Sequence, residues 1–280
     1  MAKIIHTSTG ASNSPRELIV TPKLVGVPTS NLYLWTDEND YIEHTTFSGR
    51  IASVLNQVAD PSPNVSRLIC SGYDRSGNGG EYPTVDDTQF DGINCLKFIA
   101  PPNTGWGAGR TKLYLNRDSS YSDPYTGTTT SGLIKIVGRS GEWGEEIPLP
   151  GWGAANATFY FPSVANGQWR CQTGVSFNVG NPGDVPDPVN EWHLFTTVVQ
   201  TSPTNIARLY IDGEKVFDVS LSSPYLQTQH YDVYILNRAS NPISGIFTGY
   251  LAHSAAWVRP LSDSEVLRYW DVIKDKYGLA

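Results

Sequence analysis

Hydrophobic and polar positions alternate with a period of two through several stretches of the chain, which is the pattern of half-buried β-strands. In the clearest stretch, residues 192–199, Val, Thr, Trp and Phe alternate between two faces. A second run over 207–211 ends at Asp212-Gly213, and a short third run covers 215–219. Asp-Gly between apolar runs predicts a tight hairpin, because the favoured turns need positive φ at their central residues. The stretch therefore predicts a three-stranded meander.

Further strands are predicted where short apolar or alternating runs are bounded by turn residues. These runs cover 31–35, 49–58, 92–98, 113–115, 132–137, 157–161, 173–177, 231–235 and 247–257. Residues 1–30 lack strong periodicity, and we expect an N-terminal arm or edge strand there, or a segment that docks on a partner by strand addition. No composition shift or internal repeat divides the remainder. Residues 31–280 are therefore predicted to form a single domain.

One helix is predicted at the end of the chain. Ser262 and Glu265 have the spacing of a capping box, in which each side chain accepts a backbone N–H of the other residue. An apolar stripe follows at helical spacing. Its members are Val266, Trp270, Ile273 and Tyr277. Gly278 stands where a helix-terminating glycine belongs. We expect Trp270 to pack on the sheet and not to contact a ligand.

The order of these motifs resembles that of the concanavalin A-like domains, which include laminin G-like and pentraxin-like jelly rolls. That family has a Trp-led strand, a Y-x-D-G hairpin, a G-x-(I/L)-x-x-(A/V) strand and an L-S-x-x-E helix. The matching segments here begin at Trp192 and continue through 210–213, 247–257 and 261–265. The N-terminal half is similar to phage and bacterial versions of the family. It carries L-x-L-W at 32–35, D-x-S-G-N-G at 74–79 and G-x-x-x-L-x-F at 92–98.

The resemblance covers about residues 31–100 and 190–280, and it implies an all-β fold. The expected architecture is a concanavalin A-like jelly-roll sandwich of two antiparallel sheets with a C-terminal helix. A chain of 280 residues with 26 Gly and 19 Pro suits many short strands joined by turns. Fold resemblance names no chemistry by itself, so function has to be argued from the candidate sites.

Charge and hydropathy exclude some classes of function. The formal charge is −7 and no basic run occurs, so we expect no nucleic-acid binding. No stretch of about 18 apolar residues exists, so we expect no membrane span. The first residues lack the apolar core of a secretory signal. We therefore expect a protein that is made in a host cytoplasm.

The three cysteines, Cys70, Cys95 and Cys171, match neither a zinc spacing nor a disulfide framework. We expect buried free thiols, and a Cys70–Cys95 bridge is the alternative. A lectin-like all-β chain with neither signal nor disulfides fits a virion protein, which assembles in the cytoplasm and leaves by lysis. The expected location is therefore the virion.

Jelly rolls of this type include enzymes as well as binding proteins. The related β-glucanases carry E-x-D-x-E on one strand, and the only approximation here is Glu142-Trp-Gly-Glu-Glu146, with Gly144 in place of the middle Asp. On a regular strand the Cα atoms of Glu142 and Glu146 would lie about 13 Å apart. Retaining hydrolysis needs carboxyl groups about 5–5.5 Å apart. No nucleophilic serine motif, paired histidines or phosphate loop occurs either. We therefore predict no enzymatic activity.

We expect long loops between the middle strands, several of them rich in Gly, and these loops hold Trp106, Tyr121, Tyr125, Trp143, Trp152 and Trp169. The aromatic residues of these loops are the candidate binding surface. Trp and Tyr rings stack on the C–H faces of sugars, while nearby Asp and Asn accept hydroxyl protons. The candidate glycan contacts are Trp106, Tyr121, Tyr125, Trp143 and Trp152. The same side chains could instead fill the core beneath the loops, or anchor a protein interface.

Two acidic loops are candidate calcium sites, because hard cations need clustered carboxylates and carbonyls. One loop offers Asp118 and Asp123, and the other offers Asp184 and Asp187. Many relatives of the resembled family use calcium, but neither loop matches an EF-hand, and solvated acidic turns are the alternative. The strand histidines His193 and His253 show no metal or catalytic spacing, and we predict that they are satisfied residues of the sheet.

These observations predict a non-enzymatic phage virion component, such as a tail, fibre or capsid decoration protein, with a lectin-like domain. Its expected partners are other virion proteins and host cell-surface polysaccharide, and we expect it to form a homo-oligomer. Two alternatives stay open. One is a polysaccharide hydrolase or lyase of the same fold, and the other is a bacterial lectin-like adhesion module.

Overall fold

A computed structural model describes residues 26–36, 41–43, 45–46, 48–58, 67–73, 82–99, 110–115, 126–139, 147–152, 158–161, 169–173, 175–180, 185, 188–221, 233–236 and 247–280. The strands in these ranges are β1 (Leu32–Trp35), β2 (Tyr41–Glu43), β3 (Ile51–Leu55), β4 (Arg67–Tyr73), β5 (Thr84–Phe90), β6 (Ile93–Phe98), β7 (Arg110–Leu115), β8 (Gly127–Arg139), β9 (Ile147–Pro148), β10 (Gly151–Trp152), β11 (Thr158–Phe161), β12 (Trp169–Thr173), β13 (Val175–Gly180), β14 (Trp192–Gln200), β15 (Ile206–Ile211), β16 (Glu214–Ser220), β17 (Val233–Leu236) and β18 (Phe247–Trp257). Helix α1 spans Asp263–Tyr277. The N-terminal arm predicted over 1–30 lies outside these ranges except for its last five residues.

An eight-stranded antiparallel sheet forms the centre of the fold. Its strands run in the order β16, β15, β14, β8, β18, β6 and β5, and β1 also pairs with β18. Strands from both ends of the chain are therefore neighbours in this sheet. A six-stranded sheet has the order β10, β17, β7, β4, β3 and β2, and a four-stranded sheet has the order β13, β12, β11 and β9.

Each face of the eight-stranded sheet packs against other elements of the fold. On one face, residues such as Leu96 and Phe195 share a core with Ile235 of the six-stranded sheet and Phe159 of the four-stranded sheet. On the other face, a second core lies between the sheet and helix α1. The predicted all-β sandwich with a C-terminal helix is confirmed, with the second layer divided between two smaller sheets.

The predicted meander is formed by β14, β15 and β16. Its alternation is the one read from the sequence, because Leu194 lies in the core beneath the helix and Phe195 lies in the core between the sheets. Asp212 and Gly213 connect β15 to β16 with φ values of 53° and 79°. Two successive positive φ values are the geometry that an Asp-Gly hairpin turn requires.

Helix α1 begins and ends as predicted. The Ser262 Oγ accepts from the Glu265 amide, and the Glu265 carboxylate accepts from the Ser262 amide at 2.9 Å. Gly278 ends the helix with a φ of 63°. The buried face consists of Val266, Tyr269, Trp270, Ile273 and Tyr277. Trp270 is thus packed on the sheet, as expected, at 8% exposure.

The carboxylate of Glu265 also forms a bidentate ion pair with Arg259, which links the helix to the end of β18. The Arg259 nitrogens lie 2.9 and 2.7 Å from its two oxygens. The hydrogen bonds from Arg259, followed by those from Ser262, lower the pKa of Glu265 to about 2. A carboxyl group with a lowered folded-state pKa stabilises the fold above its unfolded-state pKa, and this contribution is lost as the pH falls toward the folded-state value.

Replacing Glu265 with glutamine should therefore lower the free energy of unfolding at neutral pH by about 1 kcal/mol, since the pair is partly solvated. The wild-type protein should lose this increment between pH 4.5 and about 2, the ordinary and folded-state pKa values of the group. Urea titrations across that range measure it. Asp271→Asn, at an exposed helix position, is the control. Identical pH profiles for wild type and Glu265→Gln would contradict the role assigned to this carboxylate.

The cysteines Cys70, Cys95 and Cys171 are free and buried, which confirms the predicted thiols and excludes the Cys70–Cys95 bridge. Burial raises the pKa of all three, to about 12 for Cys95 and Cys171. Because the thiolate is the reactive form, we expect no reaction with Ellman's reagent in the native protein and three equivalents in urea. Rapid labelling of the folded protein would contradict this packing.

Two of the differences between predicted and observed strands have a clear physical cause. The run predicted over 173–177 is divided, because β12 ends at Thr173, β13 begins at Val175, and the two pair with each other. Hydrophobic and polar positions keep alternating where the chain reverses direction between β12 and β13, so the sequence pattern does not reveal the turn. Trp169, expected in a loop, lies in β12 and is 2% exposed. Strand β8 extends to Gly127, well before the predicted start at 132, because its polar residues 128–131 are buried within the sheet.

Candidate functional site

A row of side chains crosses the helix-bearing face of the eight-stranded sheet, next to the C-terminal end of α1. The strand registers place Trp192 opposite Lys135, Lys135 opposite Tyr250, Tyr250 opposite Lys97, and Lys97 opposite Thr84. Directly opposed residues in antiparallel strands point to the same face of the sheet. These five residues, from five adjacent strands, are called the outer row below.

Two aromatic rings of the outer row are held in place by the end of the helix. Tyr250 and Trp192 are partly buried and pack against the core beneath α1. Their ring centroids lie 6.2 Å apart with an interplanar angle of 46°. Trp192 also contacts Phe90 at 4.4 Å, and Phe90 contacts Tyr277 of the helix at 5.1 Å. The helix terminus thus fixes the positions of both rings.

The lysines of the outer row differ in their partners. Lys97 Nζ lies 3.5 Å from Asp86 Oδ2 and 5.9 Å from the centre of the Tyr250 ring. The Thr88 hydroxyl donates to Asp86 and holds the pKa of this carboxyl below its ordinary value, so the carboxylate is ionised and balances Lys97. Lys135 Nζ donates instead to the neutral Gln89 Oε1 at 3.2 Å. No carboxylate in the described ranges lies within ion-pair distance of Lys135.

The outer row therefore combines aromatic faces with hydrogen-bond donors. Small-molecule sites in proteins pair apolar and aromatic surface with a few polar groups that fix the orientation of the ligand. A sugar ring presents C–H groups on one face and hydroxyls around its edge. Tyr250 offers a ring for the first, while Lys135 and Lys97 offer donors for the second. This surface therefore has the kinds of groups that contact a sugar.

A second polar arrangement lies at the start of β14. His193 Nδ1 is 2.6 Å from Asp212 Oδ2, and Asp212 Oδ1 accepts from the Leu194 amide at 2.8 Å. Glu191 Oε2 lies 3.7 Å from His193 Nε2. The sequence showed no histidine–carboxylate pair, because Asp212 is 19 positions further along the chain. The pair ties the hairpin turn to β14.

The predictions for the two strand histidines are confirmed at one ring nitrogen of each. His253 is fully buried, and its Nδ1 lies 2.8 Å from the Thr36 carbonyl oxygen. His193 is satisfied only at Nδ1. Its Nε2 is buried without a hydrogen bond to any residue in the described ranges, which corrects the prediction for that atom.

Most of the site residues predicted from the sequence lie outside the described residues. They are the aromatic residues Trp106, Tyr121, Tyr125 and Trp143, the acidic residues Asp118, Asp123, Asp184 and Asp187, and the glutamates Glu142 and Glu146. Trp152 is the exception, and its expected loop position was wrong. It lies in β10 and pairs with Val233 at the edge of the six-stranded sheet, because this extended segment completes the ladder of β17.

Two further observations bear on other classes of function. Within the ranges given above, no group of three or more His, Cys, Asp or Glu residues is placed to hold a metal ion. In the same part of the chain, no helix has the length and apolar character needed to cross a membrane.

The outer row was missed in the sequence because its members come from distant segments. Lys97 and Tyr250, for example, meet only through the pairing of β6 with β18. A weaker signal was present: Lys135 and Lys97 are single charged residues inside otherwise apolar strands, I-K-I and L-K-F. A lone lysine in such a strand indicates a face that is partly open to solvent.

Residues 134–267 match the model of a family described as the concanavalin A-like lectin/glucanases superfamily. The matched segment runs from β8 into helix α1 and contains Lys135, Trp192 and Tyr250. The chain has the concanavalin A-like fold. The resemblance inferred from the sequence motifs is thereby confirmed. No curated protein matches this concanavalin A-like chain in sequence.

Solved structures of three kinds share the concanavalin A-like fold. A botulinum neurotoxin type C structure matches with a TM-score of 0.52 and 11% identity, over 86% of this chain and 51% of that one. Domain 4 of AbnA, a GH43 extracellular arabinanase from Geobacillus stearothermophilus, matches with a TM-score of 0.51 and 14% identity, over 87% and 98%. Trypanosoma rangeli sialidase matches with a TM-score of 0.53 and 13% identity, over 89% and 33%.

The matches cover different shares of the solved chains. The concanavalin A-like chain spans about half the length of the neurotoxin chain and nearly all of the arabinanase domain. At such low identities the likeness establishes the fold alone. The structures include both toxin binding domains and parts of enzymes, so the fold is lectin-like without specifying an activity.

Proposed function

We propose that the protein binds carbohydrate without cleaving it, and that the outer row contacts the sugar. The observation that carries the proposal is the pair of partly buried rings, Tyr250 and Trp192, held 6.2 Å apart beside two lysines. Neighbouring structures support it. The arabinanase domain was solved with arabinotriose, and the botulinum neurotoxin type C structure concerns an interaction with two ganglioside molecules.

The chemistry of the outer row favours binding over hydrolysis. Glycoside hydrolysis uses two carboxyl groups on either side of the scissile bond. The ionisable groups of the outer row next to Tyr250 are the ammonium groups of Lys135 and Lys97, and the Asp86 carboxylate forms an ion pair with Lys97. The alternative of a hydrolase or lyase therefore rests on Glu142 and Glu146. Release of new reducing ends that stops in Glu142→Gln or Glu146→Gln would establish that alternative.

A glycan array followed by calorimetric titration of the strongest ligand tests the binding site. We expect Tyr250→Leu to weaken binding about tenfold, because truncating an aromatic anchor removes the central contact of an interface. Tyr250→Phe keeps the ring and should bind within about twofold of wild type. Equal thermal midpoints of the two variants exclude a folding defect. Unchanged affinity of Tyr250→Leu would contradict the assignment of the outer row.

We further propose that the protein is a phage virion component, in a tail, a fibre or a capsid decoration, and that it is a homo-oligomer. The three buried thiols support assembly in a reducing cytoplasm. Mass spectrometry of purified virions tests the location. If the protein is absent from the virions, the bacterial adhesion module is favoured. Light scattering of the purified protein tests the oligomeric state.

Two predictions from the sequence stay part of the proposal. The aromatic residues Trp106, Tyr121, Tyr125, Trp143 and Trp152 are proposed to add glycan contacts outside the outer row. The carboxylates Asp118, Asp123, Asp184 and Asp187 are proposed to bind calcium. Bound calcium would stabilise the folded state by an amount that grows with the logarithm of the ratio of free calcium to its Kd. A thermal midpoint that is the same in EDTA and in millimolar calcium would remove the calcium proposal.

A further inference from the structure

We propose that the outer row selects anionic saccharides, and that Lys135 is the residue that binds their carboxylate or sulfate group. This inference rests on the proposed carbohydrate binding and adds a ligand class to it. It depends on three features of Lys135: its charge balance, its position between two rings, and its setting in an acidic protein.

The charge of Lys135 is not compensated by the described residues that surround it. Lys97 is neutralised by Asp86 at 3.5 Å, whereas the hydrogen bond from Lys135 goes to the neutral amide oxygen of Gln89 at 3.2 Å. An ammonium group has three donors, and this bond uses one of them. An anionic group of a ligand is the partner that satisfies both the charge and the remaining donors.

The position of Lys135 favours an anion that is attached to a sugar ring. Its neighbours on either side, at a strand spacing of about 4.8 Å, are Trp192 and Tyr250. A sugar ring that stacks on Tyr250 would direct a substituent of its edge toward Lys135. The stem of a lysine packs along apolar surface while the ammonium group stays at the surface. Lys135 is only partly exposed, so its charge is less screened than that of a fully exposed lysine.

The net charge of the whole chain limits how an anionic ligand can be attracted. The formal net charge is −7, so the long-range field repels anions and cannot by itself attract an acidic glycan. Binding of an anion must therefore be local, at a cation without a nearby carboxylate. Within the described ranges, Lys135 combines this property with a position directly opposite both aromatic residues of the outer row on the neighbouring strands.

The experiment is an array of carboxylated, sulfated and neutral glycans, followed by titration of the strongest ligand at low and high salt. We expect the strongest ligands to be anionic, and Lys135→Gln to weaken binding about tenfold, as for the loss of a hydrogen bond to a charged group. High salt should weaken binding to wild type more than to Lys135→Gln. The carboxylated and sulfated arms show which anion is preferred.

Lys215→Gln is the matched control, because it removes one positive charge from β16, at the far edge of the same sheet. It should bind like wild type. Preferred neutral ligands, or equal affinities of wild type and Lys135→Gln, would overturn this inference. If binding to those neutral ligands is still lost in Tyr250→Leu, the proposed function stands and only the anion preference fails. If no glycan binds, the proposed function itself fails.

Discussion

Replacing Trp257 with alanine should lower the free energy of unfolding by about 3–5 kcal/mol, the range for deleting a large buried aromatic side chain. Trp257 is fully buried beneath helix α1. Its Nε1 donates to the Pro28 carbonyl oxygen at 2.6 Å, and its ring contacts Tyr269 edge-on at 5.0 Å. The substitution therefore leaves a cavity between sheet and helix and an unpaired carbonyl group.

Two variants separate these contributions in urea titrations. Trp257→Phe retains most of the apolar volume but loses the hydrogen bond, and we expect a cost of about 1–2 kcal/mol. Leu267→Ala truncates a helix residue that is 49% exposed, and it should change the free energy of unfolding by less than about 0.5 kcal/mol. A cost for Trp257→Ala as small as that of Leu267→Ala would show that the helix does not pack on this residue.

Replacing Gly127 with alanine should cost at least about 3 kcal/mol, and the variant is expected to accumulate as insoluble protein. Gly127 begins β8 with a φ of +155°. A Cβ atom there would overlap the Val199 carbonyl oxygen and approach the Gln200 Cα to 3.0 Å. Both obstacles are backbone atoms of the neighbouring strand, so no side-chain rotation relieves the clash.

Gly92→Ala is the matched control for this prediction. Gly92 also has a positive φ, +88°, but a Cβ atom there meets nothing within 4 Å. We expect only the conformational cost of a left-handed alanine, about 1 kcal/mol. The difference between the two variants in solubility and in urea midpoint measures the steric part alone. Equal behaviour would mean that β8 and β14 are not as close as the structure places them.

The elements that the sequence predicted well are those specified by local chemistry. The hairpin at Asp212-Gly213 needs two positive φ values, and helix α1 needs a capping box, an apolar stripe and a terminal glycine. Each signal lies within a few residues of the element it defines. The meander β14–β16, strand β18 and helix α1 are therefore predictable from the chain alone, and the resemblance of their order indicates the fold.

The elements that the sequence missed depend on pairing over long distances. The two-residue strand β10, which holds Trp152, exists only because β17, far along the chain, provides a partner. The outer row likewise depends on the registers of five strands, which are set by the whole sheet and not by local propensity. The pairing of His193 with Asp212 depends on the turn geometry of a neighbouring hairpin. Such juxtapositions carry no short-range sequence signal.

The fold explains why a binding surface could form on the helix-bearing face. Helix α1 covers only part of the eight-stranded sheet, and its last buried residue, Tyr277, packs on Phe90. Beyond that contact the sheet has no further cover from the helix, and the aromatic side chains of β14 and β18 are partly exposed. These partly buried rings close the core, and their exposed parts are the ones that the proposed sugar binding would use.

The most direct test of the central claim is an amide and indole NMR titration of the protein with the strongest glycan from the array. We predict that the Trp192 indole signal and the amides around Lys135 and Tyr250 shift with saturation, while the glycan is recovered intact. Signals of the outer row that stay unchanged as the glycan binds, or the release of new reducing ends, would contradict non-catalytic carbohydrate binding at this surface.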